Sequence, residues 1–140
     1  VTLRAGHGVM TCLGSDPKDT STFHVACYQN SMEPFMARGR ALRAAGVIDP
    51  KVDSVRFAEA RSGRLRVPKQ AAALWTLTGP WSAVDIAAGT VSATVRALYE
   101  VYMPYATAAS TGLPDQPTRN GPWLMDPGTP KAHIMFMPSM

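Results

Sequence analysis

The sequence predicts an α+β fold: a small, mostly antiparallel sheet with two helices packed on one side and long loops between elements. Three observations carry this. The helical patterns come early and next to each other, within residues 31–63. The best strand patterns come late, within residues 71–137, and this order argues against alternating β-α-β units. Twelve prolines and eleven glycines are spread through the 140 residues without a repeat, which points to loops rather than disorder.

Residues 3–13 alternate loosely around Gly6 and Gly8 and predict a short strand or hairpin arm leading into Cys12. Residues 14–26 are polar and turn-rich and read as a loop. A helix is predicted over about 31–45. Ser31 can cap it, Pro34 is tolerated in a first turn whose N–H groups lack helical partners, and Gly46 stands at the left-handed stop position. Met32, Phe35, Met36, Leu42 and Ala45 fall near one face, and Arg38, Arg40 and Arg43 fall elsewhere. A second helix follows, with Asp49 as cap, Pro50 at the first helical position and Gly63 as stop. Val52, Val55 and Glu59 share a face, with Phe57 off it. The rival is a hairpin of 55–59 and 64–67 turning at Ser62-Gly63; the paired start and stop signals favour the helix.

Residues 71–78 predict a buried strand before Gly79-Pro80. Within the β-branched and aromatic stretch 91–104, residues 96–103 form the best strand. Residues 105–131 read as loop with one helical turn near 107–111, and 132–137 as a final strand. Gly79-Pro80-Trp81 recurs as Gly121-Pro122-Trp123, and each is followed by an aromatic-Met-Pro, Tyr102-Met103-Pro104 and Phe136-Met137-Pro138. This suggests a duplicated hairpin-like unit, with coincidence equally open because few positions match.

The length suits one domain spanning residues 1–140. Hydrophobic residues make up 46% and mean hydropathy is −0.06. No apolar run approaches the roughly 18–20 residues that span a bilayer, so no transmembrane segment is expected. The chain begins with Val1, which fits either removal of a targeting segment or trimming. Cys12 and Cys27 flank the polar stretch 13–26, an arrangement that suits a disulfide in an oxidising compartment; two unpaired thiols are the alternative. Net charge is +4, and residues 38–69 hold nine bases against three acids, a surplus of six. Phe57 is the one aromatic among them and no nucleic-acid motif is visible, so nucleic acid is not an expected partner. A solvated helical face is favoured over contact with an anionic surface.

Three sets of residues could carry chemistry. If the last strand is extended, His133, Met135 and Met137 share one face; imidazole and thioethers together suit copper, especially Cu(I). Core packing is the plainer reading of the same residues. If 96–103 pairs with 132–137, Glu100 or Tyr102 lies beside His133, the arrangement of a carboxylate that orients an imidazole for acid–base work. No Gly-x-Ser-x-Gly nucleophile accompanies it, and a buried pair tying two strands together is the alternative. Of Trp75, Trp81 and Trp123, the last two follow Gly-Pro at loop edges, and with His133 they suit a small organic ligand if they border a cleft. No phosphate loop, dinucleotide fingerprint, calcium loop or His-Glu-x-x-His is present.

The segments Val101-Tyr102-Met103-Pro104-Tyr105-Ala106-Thr107, Ser110-Thr111-Gly112-Leu113-Pro114, Gly121-Pro122-Trp123-Leu124-Met125, Gly128-Thr129-Pro130 and Ala132-His133-Ile134-Met135 resemble the tail of a family of uncharacterised exported bacterial proteins. Leu3-Arg4-Ala5-Gly6 and Met10-Thr11-Cys12 resemble it as well. The Gly-Thr-Pro and Ala-His-Ile-Met elements are the most specific part. The resemblance implies a periplasmic or secreted location and supports the Cys12–Cys27 pair. It points to His133 alone as a functional residue, because the earlier strand reads Leu98-Tyr99-Glu100-Val101 where some relatives carry a second histidine. The functional expectation is therefore a non-catalytic exported binding module, for a metal such as copper or a small ligand, at the C-terminal strands. A small exported enzyme using His133 and Glu100, and a structural or envelope-interaction protein, are the alternatives.

Overall fold

The computed structural model describes residues 2–118 and 121–137. Strands β1 (Met10–Leu13) and β2 (Thr22–Gln29) open the chain as an antiparallel pair. β2 corrects the expectation of a loop through residue 26. Phe23, Val25 and Cys27 alternate with His24, Ala26 and Tyr28, the two-residue period of a strand, and the loop shrinks to 14–21. Turn chemistry just upstream obscures that period: the Asp19 carboxylate accepts the N–H groups of Ser21 and Thr22 at 3.0 and 2.8 Å. Cys12 and Cys27 are register partners and are joined by a disulfide.

A 3-10 turn (Asn30–Met32) leads into α1 (Glu33–Ala44), and α2 (Lys51–Arg61) follows. Both helices lie where the sequence places them, but not with the predicted caps. Ser31 sits inside the turn, and Asp49 takes Arg43 as partner instead of capping α2. Gly46 stops α1 at φ +82°. The buried face of α1 is Phe35, Gly39 and Leu42, next to Met32. Ala45, expected on that face, is exposed. The buried face of α2 is Val52 and Arg56, one turn apart, rather than Val52, Val55 and Glu59.

β3 (Ala72–Pro80) passes through a 3-10 turn (Trp81–Ala83) into a small ribbon of β4 (Val84–Asp85) and β5 (Thr90–Val91). β6 (Arg96–Tyr102) returns to the main sheet. The one-turn helix α3 (Ala108–Thr111) has a Thr107/Ser110 capping box and ends at Gly112. β7 (Trp123–Met125), within the stretch read as loop, and β8 (His133–Phe136) complete the sheet. Three residues are too few to display a strand period, which is why β7 escapes a sequence reading. The two Gly-Pro-Trp segments do not share a structure: Trp81 leaves a strand and Trp123 enters one. Pro138, the end of the second copy, lies outside the described residues.

The main sheet has six strands in the order β1-β2-β3-β6-β8-β7, antiparallel throughout. Its inner face carries Tyr28, Ala72, Leu74 and Tyr102, packed with Met32 and, at the margin, Leu13 and Met36. Burying each large side chain of this kind stabilises the fold by about 1.5–3 kcal/mol. On the outer face a second cluster of Ala106, Leu124 and Ala132, with Met103, Leu113 and Ile134, covers only the β8-β7 end. Among the described residues no helix is long and apolar enough to cross a membrane.

Candidate functional site

Two places on this frame gather functional side chains. The first is polar and lies under the helices. Register pairs Tyr102 with His133 and Glu100 with Met135, so all four share the inner face. The His133 ring stacks on Tyr102 with centroids 4.8 Å apart and planes 12° from parallel. Its Nδ1 lies 2.6 Å from the carbonyl oxygen of Lys131; a carbonyl only accepts, so Nδ1 carries the hydrogen and donates. Nε2 then faces Glu100 Oε2 across 3.8 Å, beyond hydrogen-bond reach. Burial raises the Glu100 carboxyl above its usual range, against the opposing pull of His133, Lys131 and the Tyr102 hydroxyl. Burial also holds the Tyr102 phenol far above its usual range, so it stays neutral.

A charged chain continues from this group. Lys131 Nζ lies 3.0 Å from Asp53 Oδ2 and 3.5 Å from Asp126 Oδ2. Asp53 also accepts from Arg56, whose guanidinium donates to the Phe35 carbonyl at 3.4 Å and sits 4.1 Å over the Phe35 ring. Arg56 is buried, and its Nε has no hydrogen-bond partner. Glycine at position 39 makes room for it, since a Cβ there would lie 2.9 Å from Nη1. Burial works to raise the Asp53 carboxyl, but the bonds from Arg56 and Lys131 outweigh it and hold the group below its usual range. The chain turns beside this network through Tyr105 and Asp126, two non-glycine residues at φ +66° and +52°.

The structure thus brings together Glu100, Tyr102 and His133, as the strand pairing predicts, and also buries Tyr102 and His133, leaving the Glu100 side chain 13% exposed. His133 is 3% exposed and Met135 8%. Met137 lies past the strand end in solvent, apart from the other two members of the copper set. Among the described residues no group of three or more His, Cys, Asp or Glu side chains could hold a metal ion.

The second place is the outer face of the sheet. Register runs Cys12–Cys27–Trp75–Tyr99–Phe136 straight across five strands. Trp75, Tyr99 and Phe136 are 44%, 43% and 38% exposed. A shallow cavity of about 420 Å³ is lined by Val25, Cys27, Trp75, Thr76, Leu77 and Tyr99. No charged side chain points out from the paired residues of this face: Met10 and Cys12, Phe23 to Gln29, Ala73 to Gly79, Ala97 to Val101, and Ile134 and Phe136 at alternate positions. A second cavity, of about 310 Å³, borders the β4–β5 ribbon.

Neither Gly-Pro-Trp tryptophan offers a free ring. Trp123 is buried at the start of β7. Trp81 donates from Nε1 to the Asp19 carbonyl at 3.1 Å and packs edge-on against Phe23 at 5.2 Å. The exposed tryptophan is Trp75, and its cross-strand neighbour Tyr99 is a residue that sequence reasoning passes over. The available signal is strand alternation: Leu74 and Trp75 must take opposite faces, and so must Tyr99 and Glu100. Comparison with protein-family models, curated proteins and solved structures finds no match.

Proposed function

We propose that the protein is a non-catalytic exported binding module, and that its site is the aromatic row on the open sheet face. The ligand is a small, flat, uncharged organic molecule that lies on Trp75 and Tyr99. One observation carries this reading: two large aromatic neighbours stand exposed on a face without charge, over a cavity of about 420 Å³. That volume falls within the range of small-molecule sites, about 300–1,000 Å³. Aromatic rings give a flat ligand stacking area at little conformational cost, and an uncharged face imposes no desolvation of ions. Export is supported by the Cys12–Cys27 disulfide, which belongs to oxidising compartments, and by the resemblance of the C-terminal elements.

Titration with the neutral dye Nile red tests the site. Saturable binding to the wild type should weaken about ten-fold or more in Trp75→Ala and in Tyr99→Ala, a loss of about 1.4 kcal/mol. Equal binding by all three proteins, or none by the wild type, overturns the proposal. A second reading, a small enzyme using Glu100 and His133, is favoured by one observation, their shared face at 3.8 Å. The burial of His133 and the near-burial of Glu100 weigh against it, and neither cavity touches them. A copper site would need Nε2 of a buried imidazole to meet an exposed Met137.

A further inference from the structure

Ion pairing divides the basic stretch 38–69 into two unlike parts. Four helix arginines are answered: Arg38 by Glu59 at 2.6 Å, Arg40 by Glu33 at 2.6 Å, Arg43 by Asp49 at 3.1 Å and Arg56 by Asp53, while Lys51 stands exposed and alone at the start of α2 among the described residues. From the last residue of α2 to the end of the stretch, Arg61, Arg64, Arg66 and Lys69 are all exposed, and no acid lies among residues 61–69. None of the four has a direct ion pair among the described residues, although Arg64 is near enough to Glu59 to help Arg38 hold that carboxyl below its usual range.

This segment is held rather than loose. Gly63 turns the chain at φ +75°, and the Leu65 N–H donates to the Glu59 carbonyl at 3.0 Å. Arg64 Nε donates to Ser62 Oγ at 3.1 Å. Exposed Arg64 and Arg66 alternate with half-buried Leu65 and Val67, and Pro68 is buried. Arg64, Arg66 and Lys69 therefore stand exposed on one short loop, with Arg61 exposed at the end of α2 that leads into it, a run of like charges that favours a negative partner.

We propose that this loop is a docking surface for an anionic lipid bilayer, with the four cations at the phosphate-bearing headgroups. A headgroup layer needs only accessible positive charge from its partner. Single-stranded nucleic acid needs aromatic platforms beside the cations. This loop has none: Phe57 is half-buried in α2, and the exposed aromatic row lies on the sheet face away from the helices. Docking through the loop leaves that row clear, so the inference stands apart from the ligand proposed above.

Co-sedimentation with vesicles tests it. The wild type should bind phosphatidylcholine vesicles that contain phosphatidylglycerol, and should not bind phosphatidylcholine alone. Raising salt from about 0.05 to about 0.5 M should release it, because screening shortens with ionic strength. Each cation at an anionic leaflet raises partitioning about five-fold, so Arg64→Gln/Arg66→Gln should bind about 25-fold more weakly. Arg61→Gln/Lys69→Gln should lose a similar factor. The double variant Arg38→Gln/Arg43→Gln removes the same net charge from elsewhere and should lose far less. Equal losses from the loop and helix variants overturn the proposal, because net charge alone would then explain binding. Undiminished binding by both loop variants overturns it too, as does capture by duplex DNA without capture by vesicles.

Discussion

Replacing Asp53 with alanine should destabilise the protein more than replacing its partner Arg56 with methionine. The Arg56 side chain is 6% exposed, and Asp53 is its one carboxylate partner. Asp53→Ala leaves a buried cation with only the Phe35 carbonyl and ring. Removing one partner of a buried pair costs about 3–5 kcal/mol. Asp53 is 24% exposed, so water reaches one side of the pair, and Lys131 can still use Asp126. The lower end, about 3 kcal/mol, is therefore expected, which shifts the melting temperature by roughly 10 °C in a chain of this size. Arg56→Met removes the buried charge with its desolvation cost and leaves Asp53 paired to Lys131, so about 1–2 kcal/mol is expected. Urea unfolding with unchanged m-values reads both numbers. The pH dependence follows in sign. Asp53 has a lowered folded pKa, so its contribution is present above the unfolded value of about 3.9 and fades as pH falls through the folded value. Asp53→Ala should lack that acid limb. If Arg56→Met costs as much as Asp53→Ala, the claim of an unanswered buried charge is wrong.

Three further outcomes are expected. Cys12→Ser/Cys27→Ser opens a crosslink of sequence separation 15 and should lower stability by about 3 kcal/mol in thermal melts; a change below about 1 kcal/mol would show that the strand pair holds without it. Gly39→Ala should destabilise the wild type by about 1–2 kcal/mol but be neutral or stabilising in Arg56→Met, because the atoms nearest the added Cβ are the Arg56 guanidinium and the Arg43 end; additive effects in a double-mutant cycle would contradict this contact. Glu100 has a raised folded pKa, so ionising it costs the fold stability as pH rises from about 4.5 through the folded value. Glu100→Gln should therefore be the more stable protein at pH 8 and equal to wild type at pH 4, as urea melts at the two pH values will show, and a less stable variant at pH 8 would reverse the argument.

The fold was legible wherever a pattern ran long enough to repeat. α1, α2, β3, β6 and β8 lie near their predicted positions because each offers a stop signal or several alternating residues. β2 was hidden by the turn residues before it, and β7 by its three-residue length. The pairing of β6 with β8 made Glu100, Tyr102 and His133 neighbours, and that much followed from alternation. Their burial did not, because it depends on residues far away in sequence: Met32 and Met36 pack on the cluster that holds Tyr102, and Asp53 of α2 holds Lys131 beside His133. Arg56 marks the same limit: its guanidinium is buried by Phe35, Gly39 and Asp53, which come together only in the folded chain. The choice of Trp75 over Trp81 and Trp123 is likewise tertiary, since the sheet's outer face is covered at one end and bare at the other.

The Cys12–Cys27 crosslink also decides which strand ends the sheet. β1 has four residues and is the outermost strand, so its free edge is short. In a chain whose thiols are still reduced, backbone pairing, the packing of Leu13 at the margin of the inner core and the Asn30 contacts to Thr11 and Gly8 hold β1 in place. β1 covers only Ala26–Gln29 of β2, so if β1 lifts away the unpaired edge of β2 lengthens from four residues to eight, with Phe23, Val25 and Cys27 along one side. That is a long, apolar, unpaired edge of the kind that recruits a strand from another molecule. Oxidation before the chain becomes concentrated would therefore protect against self-assembly, and the interval between emergence and crosslinking is when this protein is most exposed to it.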